Sequence, residues 1–146
     1  MKESRKVAKI IAVMTTTILL LWGSVAVEGK MEKETEALKA AETWLVLVDE
    51  GHYVSSWDTA AVFFKKAVTS KEWVRLVEAV RGPLGTLISR NVRTLRYTTT
   101  RPGAPDGEYV VILFETSFEG KRNARETVTP MMGTDGVWRV SGYYLK

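Results

Sequence analysis

The sequence predicts an α+β domain, with three N-terminal helices packed on a four-stranded antiparallel meander and a separate hydrophobic helix ahead of them. Three observations carry this. Apolar residues recur at helical spacing in the first half of the chain, the period becomes extended after Gly85, and the links between extended segments are short. Short links make strand neighbours antiparallel, and helices gathered on one face of such a sheet define the class.

The first helix of the domain is carried by Ala37, Ala41, Trp44, Leu45 and Val48, one apolar stripe, with Glu32, Glu34 and Glu36 near its start and Gly51 at its end. Ser55 is the expected N-cap of a second helix, with Asp58 as the returning acid and Trp57, Ala60, Ala61, Phe64 and Val68 as its stripe. Thr69-Ser70-Lys71-Glu72 is a capping box opening a third helix, which Gly82-Pro83 stops. Residues 90–100, 109–118, 124–132 and 137–145 read as strands. They are separated by a Pro- and Gly-rich loop at 101–107, a turn at 119–121 and a hairpin turn at 133–136.

The N-terminus has a different character. Lys2, Arg5, Lys6 and Lys9 precede a run from Ile10 to Val27 with no charged residue. As a helix that run spans about 27 Å, close to a bilayer core. Thr15, Thr16 and Thr17 dilute it, and Ser24 and Ala26 form the small-x-small pattern a signal peptidase accepts, with cleavage after Ala26. Residues 1–26 therefore read as a signal peptide. The alternatives are a retained anchor, crossing the membrane through residues 10–27 with its basic end in the cytoplasm, and a helix buried in the fold. Residues 27–36 are a linker or the start of the first helix, and 37–146 a single domain, either periplasmic or secreted, or held outside the cytoplasm at the inner membrane.

Four of the 21 basic residues and one of the 17 acidic residues lie in that leader, so its removal takes the net charge from +4 to +1. The basicity of the whole chain is thus no argument for nucleic acid as a partner. Zero cysteine removes disulfides, thiol catalysis and thiolate metal sites. The remaining charge is uneven: Glu28 to Glu50 carries seven acids against three bases, and Lys65 to Arg101 nine bases against two acids. Such runs are solvated faces of opposite sign or a basic patch for an anionic partner.

Few residues carry chemistry. His52, the one histidine, follows Asp49 and Glu50 and is a candidate general base, as is Asp58; an exposed histidine at a helix end is the plainer reading. Histidine spacing for a metal, a G-x-S-x-G elbow and a phosphate loop are absent, so no metal or cofactor is expected. Trp44, Trp57, Trp73 and Trp138 lie at core-facing positions and are expected to fill the core, the other reading being an aromatic pocket wall. Arg81, Arg90, Arg96 and Tyr143 are the candidate binding residues. Arg90 and Arg96 share strand parity and so are expected on one face, where a guanidinium holds a carboxylate or phosphate. The competing expectation pairs these arginines with Glu115, Glu126 or Asp58.

Several stretches occur together: Trp44-Leu45, Asp49-Glu50-Gly51-His52-Tyr53, Ser56-Trp57, Arg81-Gly82-Pro83-Leu84-Gly85, Pro102 to Val111, Glu126 to Pro130 and Asp135 to Tyr144. In these the chain resembles the bacterial domain of unknown function 4019, from about Ala41 to Tyr144. The resemblance implies a small exported protein with a cystatin-like or nuclear-transport-factor-like cone, and supplies no catalytic residue. The expected function is a non-catalytic periplasmic or envelope module that binds a small ligand or an envelope protein. The alternatives are a small enzyme using the cone, with His52 or Asp58 as base, and a structural or assembly factor of the envelope.

Overall fold

The computed structural model describes residues 25–146 with their side chains and residues 2–24 only as the backbone of the first helix. The elements are α1 (Lys2–Asp49), α2 (Tyr53–Asp58), α3 (Val62–Ala67), α4 (Ser70–Arg81), a 3-10 turn (Gly82–Leu84), β1 (Leu87–Thr98), β2 (Tyr109–Phe118), β3 (Lys121–Met132) and β4 (Trp138–Leu145). Met1–Lys33 and Glu34–Lys146 are separate compact units, and the whole sheet belongs to the second. The side chains that decide between signal peptide, anchor and buried helix for residues 1–26 lie outside those described. Among the described residues no helix is long and apolar enough to cross a membrane.

The four strands form one antiparallel sheet in the order β1-β2-β3-β4, the meander expected from the short connections. One face of β2 presents Val110, Ile112, Phe114, Thr116 and Phe118, all buried. The α1 stripe Ala37, Ala41, Trp44, Leu45 and Val48 is in the same core cluster as Val110, Ile112 and Phe114, with Val128 and Val140 from β3 and β4. Strict alternation on one face and helical spacing on the other meet here, and burial of apolar area at about 25 cal/mol per Å² is what holds the layers together.

The α4 cap is as expected. The Glu72 backbone N–H donates to Thr69 Oγ1 (3.3 Å), and the Thr69 N–H donates to Glu72 Oε2 (3.0 Å). The hydrogen bonds from the Thr69 backbone and then its hydroxyl hold the Glu72 carboxyl below its ordinary value. Past α4, the 3-10 turn packs tightly on the β2–β3 turn. A side chain at Gly120 would put its Cβ 2.5 Å from the Pro83 carbonyl oxygen, so only glycine allows the Gly120 N–H to reach the Leu84 carbonyl at 2.8 Å.

The predicted second helix is in fact two. Ser55 is inside α2 rather than at its cap, which is His52 with no side-chain bond, and Asp58 is the last residue of α2 rather than a returning acid. The chain breaks at Ala61, which is extended (φ −61°, ψ 150°), and the Ala61 N–H donates to the Val140 carbonyl at 2.8 Å. A tertiary hydrogen bond to the edge of β4 thus outweighs continuing helix propensity.

Candidate functional site

The ends of α1 and α4 bring Asp49 and Arg81 over the sheet, where β1, β2, β3 and β4 present Arg90, Thr116, Glu126 and Tyr143. These six side chains form one hydrogen-bonded cluster. Arg90 donates from Nη1 and Nη2 to both oxygens of Asp49 (2.6 and 2.9 Å) and from Nε to Glu126 Oε2 (2.6 Å). Arg81 donates from Nη2 to Asp49 Oδ1 (2.7 Å) and, more weakly, from Nη1 to Glu126 Oε1 (3.4 Å). Thr116 and Tyr143 complete the Glu126 shell, donating their hydroxyls at 2.8 and 2.7 Å. All of Glu126's partners are donors, the pattern an ionised carboxylate satisfies.

Burial is deep. The side chains of Arg81 and Glu126 are 4% and 0% exposed, and those of Arg90 and Asp49 11% and 16%. Two arginines face two carboxylates, so the cluster is formally neutral, the condition under which buried charge is tolerated. Burial works against the Asp49 anion, but the hydrogen bonds from Arg90 and Arg81 prevail and hold its carboxyl below the ordinary 3.8. Burial likewise works against Arg81 and Arg90, and Asp49 and its neighbours raise both above the ordinary value. Burial, then the Glu126 charge, pushes the Tyr143 hydroxyl well above its usual range, so it remains a donor. Arg81 also lies over the Phe118 ring, its Cζ 4.6 Å from the centroid.

Beside this cluster the interior is filled by aromatic rings. Trp44, Phe64, Trp73 and Tyr143 contact one another with centroids 5.0–6.5 Å apart. Ser56 organises them: its carbonyl accepts from Trp44 Nε1 (2.7 Å) and its Oγ accepts from Trp73 Nε1 (2.9 Å). Accessible concavities lie outside this core. A groove of about 530 Å³ runs between α1 and β4, walled by Ala40, Trp44, Leu47, Val137, Trp138 and Val140, with Lys39, Glu36 and Arg139 among its other residues. A second cavity, about 570 Å³, lies between Asp58–Lys65 and the 131–135 hairpin. Two more, of about 410 and 400 Å³, sit on the sheet.

Of the sequence-predicted residues, Arg81, Arg90 and Tyr143 come together, with their donors directed at Asp49 and Glu126. Glu126 is among the expected partners of the arginines, whereas Glu115 meets only the exposed Arg93, at 3.6 Å, and Asp58 meets neither Arg81 nor Arg90. Arg96 is elsewhere. The expectation that it shares a face with Arg90 is corrected by a β-bulge: Val92 pairs with Phe114 and Thr94 with Leu113, leaving Arg93 as the extra residue and reversing parity beyond it. His52 is 59% exposed, with Nδ1 3.4 Å from Glu50, and lines none of these four cavities. Asp58 is on the wall of the second cavity, where its carbonyl accepts from Lys65 Nζ (3.0 Å). Sequence reasoning misses Asp49 as a site residue. It directly follows Val48 on the buried stripe, which is the signal that could have found it. Among the described residues no group of three or more acids or histidines is placed to hold a metal.

A family described as a protein of unknown function (DUF4019) matches residues 40–143. A solved structure from Catenulispora acidiphila is similar at 12% identity, covering 86% of this chain and 94% of its own, with a TM-score of 0.48. No curated protein matches.

Proposed function

The chain belongs to this DUF4019 family, and from that premise we propose that it is an exported, non-catalytic binding module of the bacterial envelope, taking an apolar group in the groove between α1 and β4. One observation carries the reading. The space between helices and sheet is occupied by aromatic rings and a neutral, internally paired charge cluster, while the adjoining groove is open and its walls are mainly apolar. A groove of about 530 Å³ is within the range of small-ligand sites. Export is supported by the basic start and the uncharged run before Glu28.

The test is native mass spectrometry of protein purified from its own envelope. A retained small ligand or protein partner is expected, and Val137→Asp should release it. Val137 is 46% exposed at the groove and so can be charged without entering the core. Protein that carries nothing, or a partner indifferent to Val137→Asp, overturns the groove assignment. The intact mass reports the leader as well: a start at Val27 means a free module, and an intact N-terminus an anchored one.

A further inference from the structure

The bulge at Arg93 does more than reverse parity. Beyond it, Thr94, Arg96 and Thr98 stand on the sheet face opposite the helices, because Leu95 and Tyr97 take the core-facing positions. There Arg96 shares a cavity of about 400 Å³ with Arg101, which comes from the β1–β2 loop. Val111 and Leu113 contribute apolar surface, and Thr94 and Thr127 contribute hydroxyls. No carboxylate lines this cavity, and neither arginine is in an ion pair among the described residues. The neighbouring outer-face cavity near Arg122 and Arg125 differs on this point, because Glu115 lines it.

The loop holds Arg101 in place. The Gly107 N–H donates to the Thr99 carbonyl (3.0 Å) and the Ala104 N–H to the Arg101 carbonyl (3.3 Å), while Gly103 supplies the positive φ of +74° that the turn requires. Tyr109, fully buried, donates its hydroxyl to the Pro105 carbonyl and puts its ring 5.7 Å from Arg101 Cζ. Arg101 is thus half-buried and braced, while Arg96 is exposed on a paired strand. Two guanidinium groups without carboxylate partners, beside threonine hydroxyls and an apolar floor, match an anionic head on a short apolar body.

We propose that this outer-face cavity is an anion site, in which Arg96 and Arg101 hold the carboxylate or phosphate of a small amphiphile whose apolar part lies on Val111 and Leu113. The site shares no residue with the α1–β4 groove and stands independently of it.

The test is an NMR titration of the full chain with inorganic phosphate, hexyl phosphate and hexanoate, reading the arginine side-chain signals. Saturable shifts at Arg96 and Arg101 are expected, with hexyl phosphate binding more tightly than inorganic phosphate because of the apolar floor. Arg96→Gln and Arg101→Gln should each weaken hexyl phosphate about tenfold, the scale of one lost charge-assisted hydrogen bond, and Arg122→Gln should not. A urea midpoint equal to that of the unsubstituted protein establishes that each variant is folded. A second arm uses vesicles containing anionic phospholipid: binding that the same two variants abolish identifies the head as a lipid phosphate, and binding of the soluble amphiphiles alone identifies a free ligand. No saturable shift with any probe, or an affinity for hexyl phosphate in both arginine variants unchanged from that of the unsubstituted protein, overturns the proposal.

Discussion

On the helix-facing side of the sheet, Arg81 and Arg90 direct their donors to Asp49 and Glu126, whereas on the other side Arg96 and Arg101 share a cavity that no carboxylate lines. The inner pair is nearly inaccessible and compensated charge for charge. The outer pair is reached by solvent and uncompensated. Arg90 and Arg96 belong to the same strand, only six positions apart, and what separates them is the bulge at Arg93. Equal parity in the sequence therefore says nothing about equal role when a strand contains an irregularity. The inner arginines join the ends of two helices to all four strands, a structural task, and the outer ones retain their capacity to bind.

The largest way to break this contrast is to remove the inner compensation. Glu126→Ala leaves two buried guanidinium groups with Asp49 alone and strips Thr116 and Tyr143 of their acceptor. Urea unfolding should show a loss of about 3–5 kcal/mol, the usual cost of orphaning a buried charge. Inserting an alanine between Arg93 and Thr94 comes next. The bulge takes up one extra residue, and a second shifts one half of β1 by a position and reverses its faces, turning either Arg90 out of its cluster or Leu95 and Tyr97 out of the core. A loss of about 2–4 kcal/mol is expected from the same measurement, by the burial of two half-buried side chains. An insertion that leaves the urea midpoint unchanged would show that the register across the bulge does not hold the two faces apart.

How much of this can be read from the sequence differs by kind of interaction. The α1 stripe, the Thr69–Glu72 box and the limits of β2 at Tyr109 and Phe118 follow from local periodicity and capping chemistry, and the structure has them in place. The break at Ala61 depends on a hydrogen bond to Val140, 79 positions away in the chain, which no local pattern encodes. The bulge has the same status: Val92-Arg93-Thr94 contains no glycine or proline to mark it. Glu126 is legible as an arginine partner because strand parity places it inward, between Ala124 and Val128. Asp49 is not, since an acid at a helix C-terminus looks unfavourable beside the helix dipole until the two arginines that offset it come from α4 and β1.

Acidity offers a finer test on the inner side. The folded carboxyl of Asp49 lies below its unfolded value near 3.8, so the stability it contributes is complete above that pH and disappears as pH falls through the folded value. The groups facing it are Arg81 and Arg90, neither of which titrates in that window. The gap in urea midpoint between the unsubstituted protein and Asp49→Asn should therefore be wide at pH 7 and close as pH drops below about 4. A gap of constant width would mean that the carboxylate charge contributes nothing beyond its hydrogen-bond geometry.

The smallest effect belongs to the outer pair, and its smallness is the point. Arg96 is exposed, has no ion pair among the described residues and stands beside threonines rather than in the core. Arg96→Gln should change stability by no more than about 0.5 kcal/mol, the range for surface substitutions. Arg90→Gln on the same strand should cost several times as much, because it withdraws a bidentate partner from Asp49 and leaves that anion with Arg81 alone. Measured side by side in urea, the two substitutions separate a guanidinium that holds the fold from one that the fold holds out. A comparable loss in both would place Arg96 in the structural network after all and remove the physical basis for treating the outer face as a binding surface.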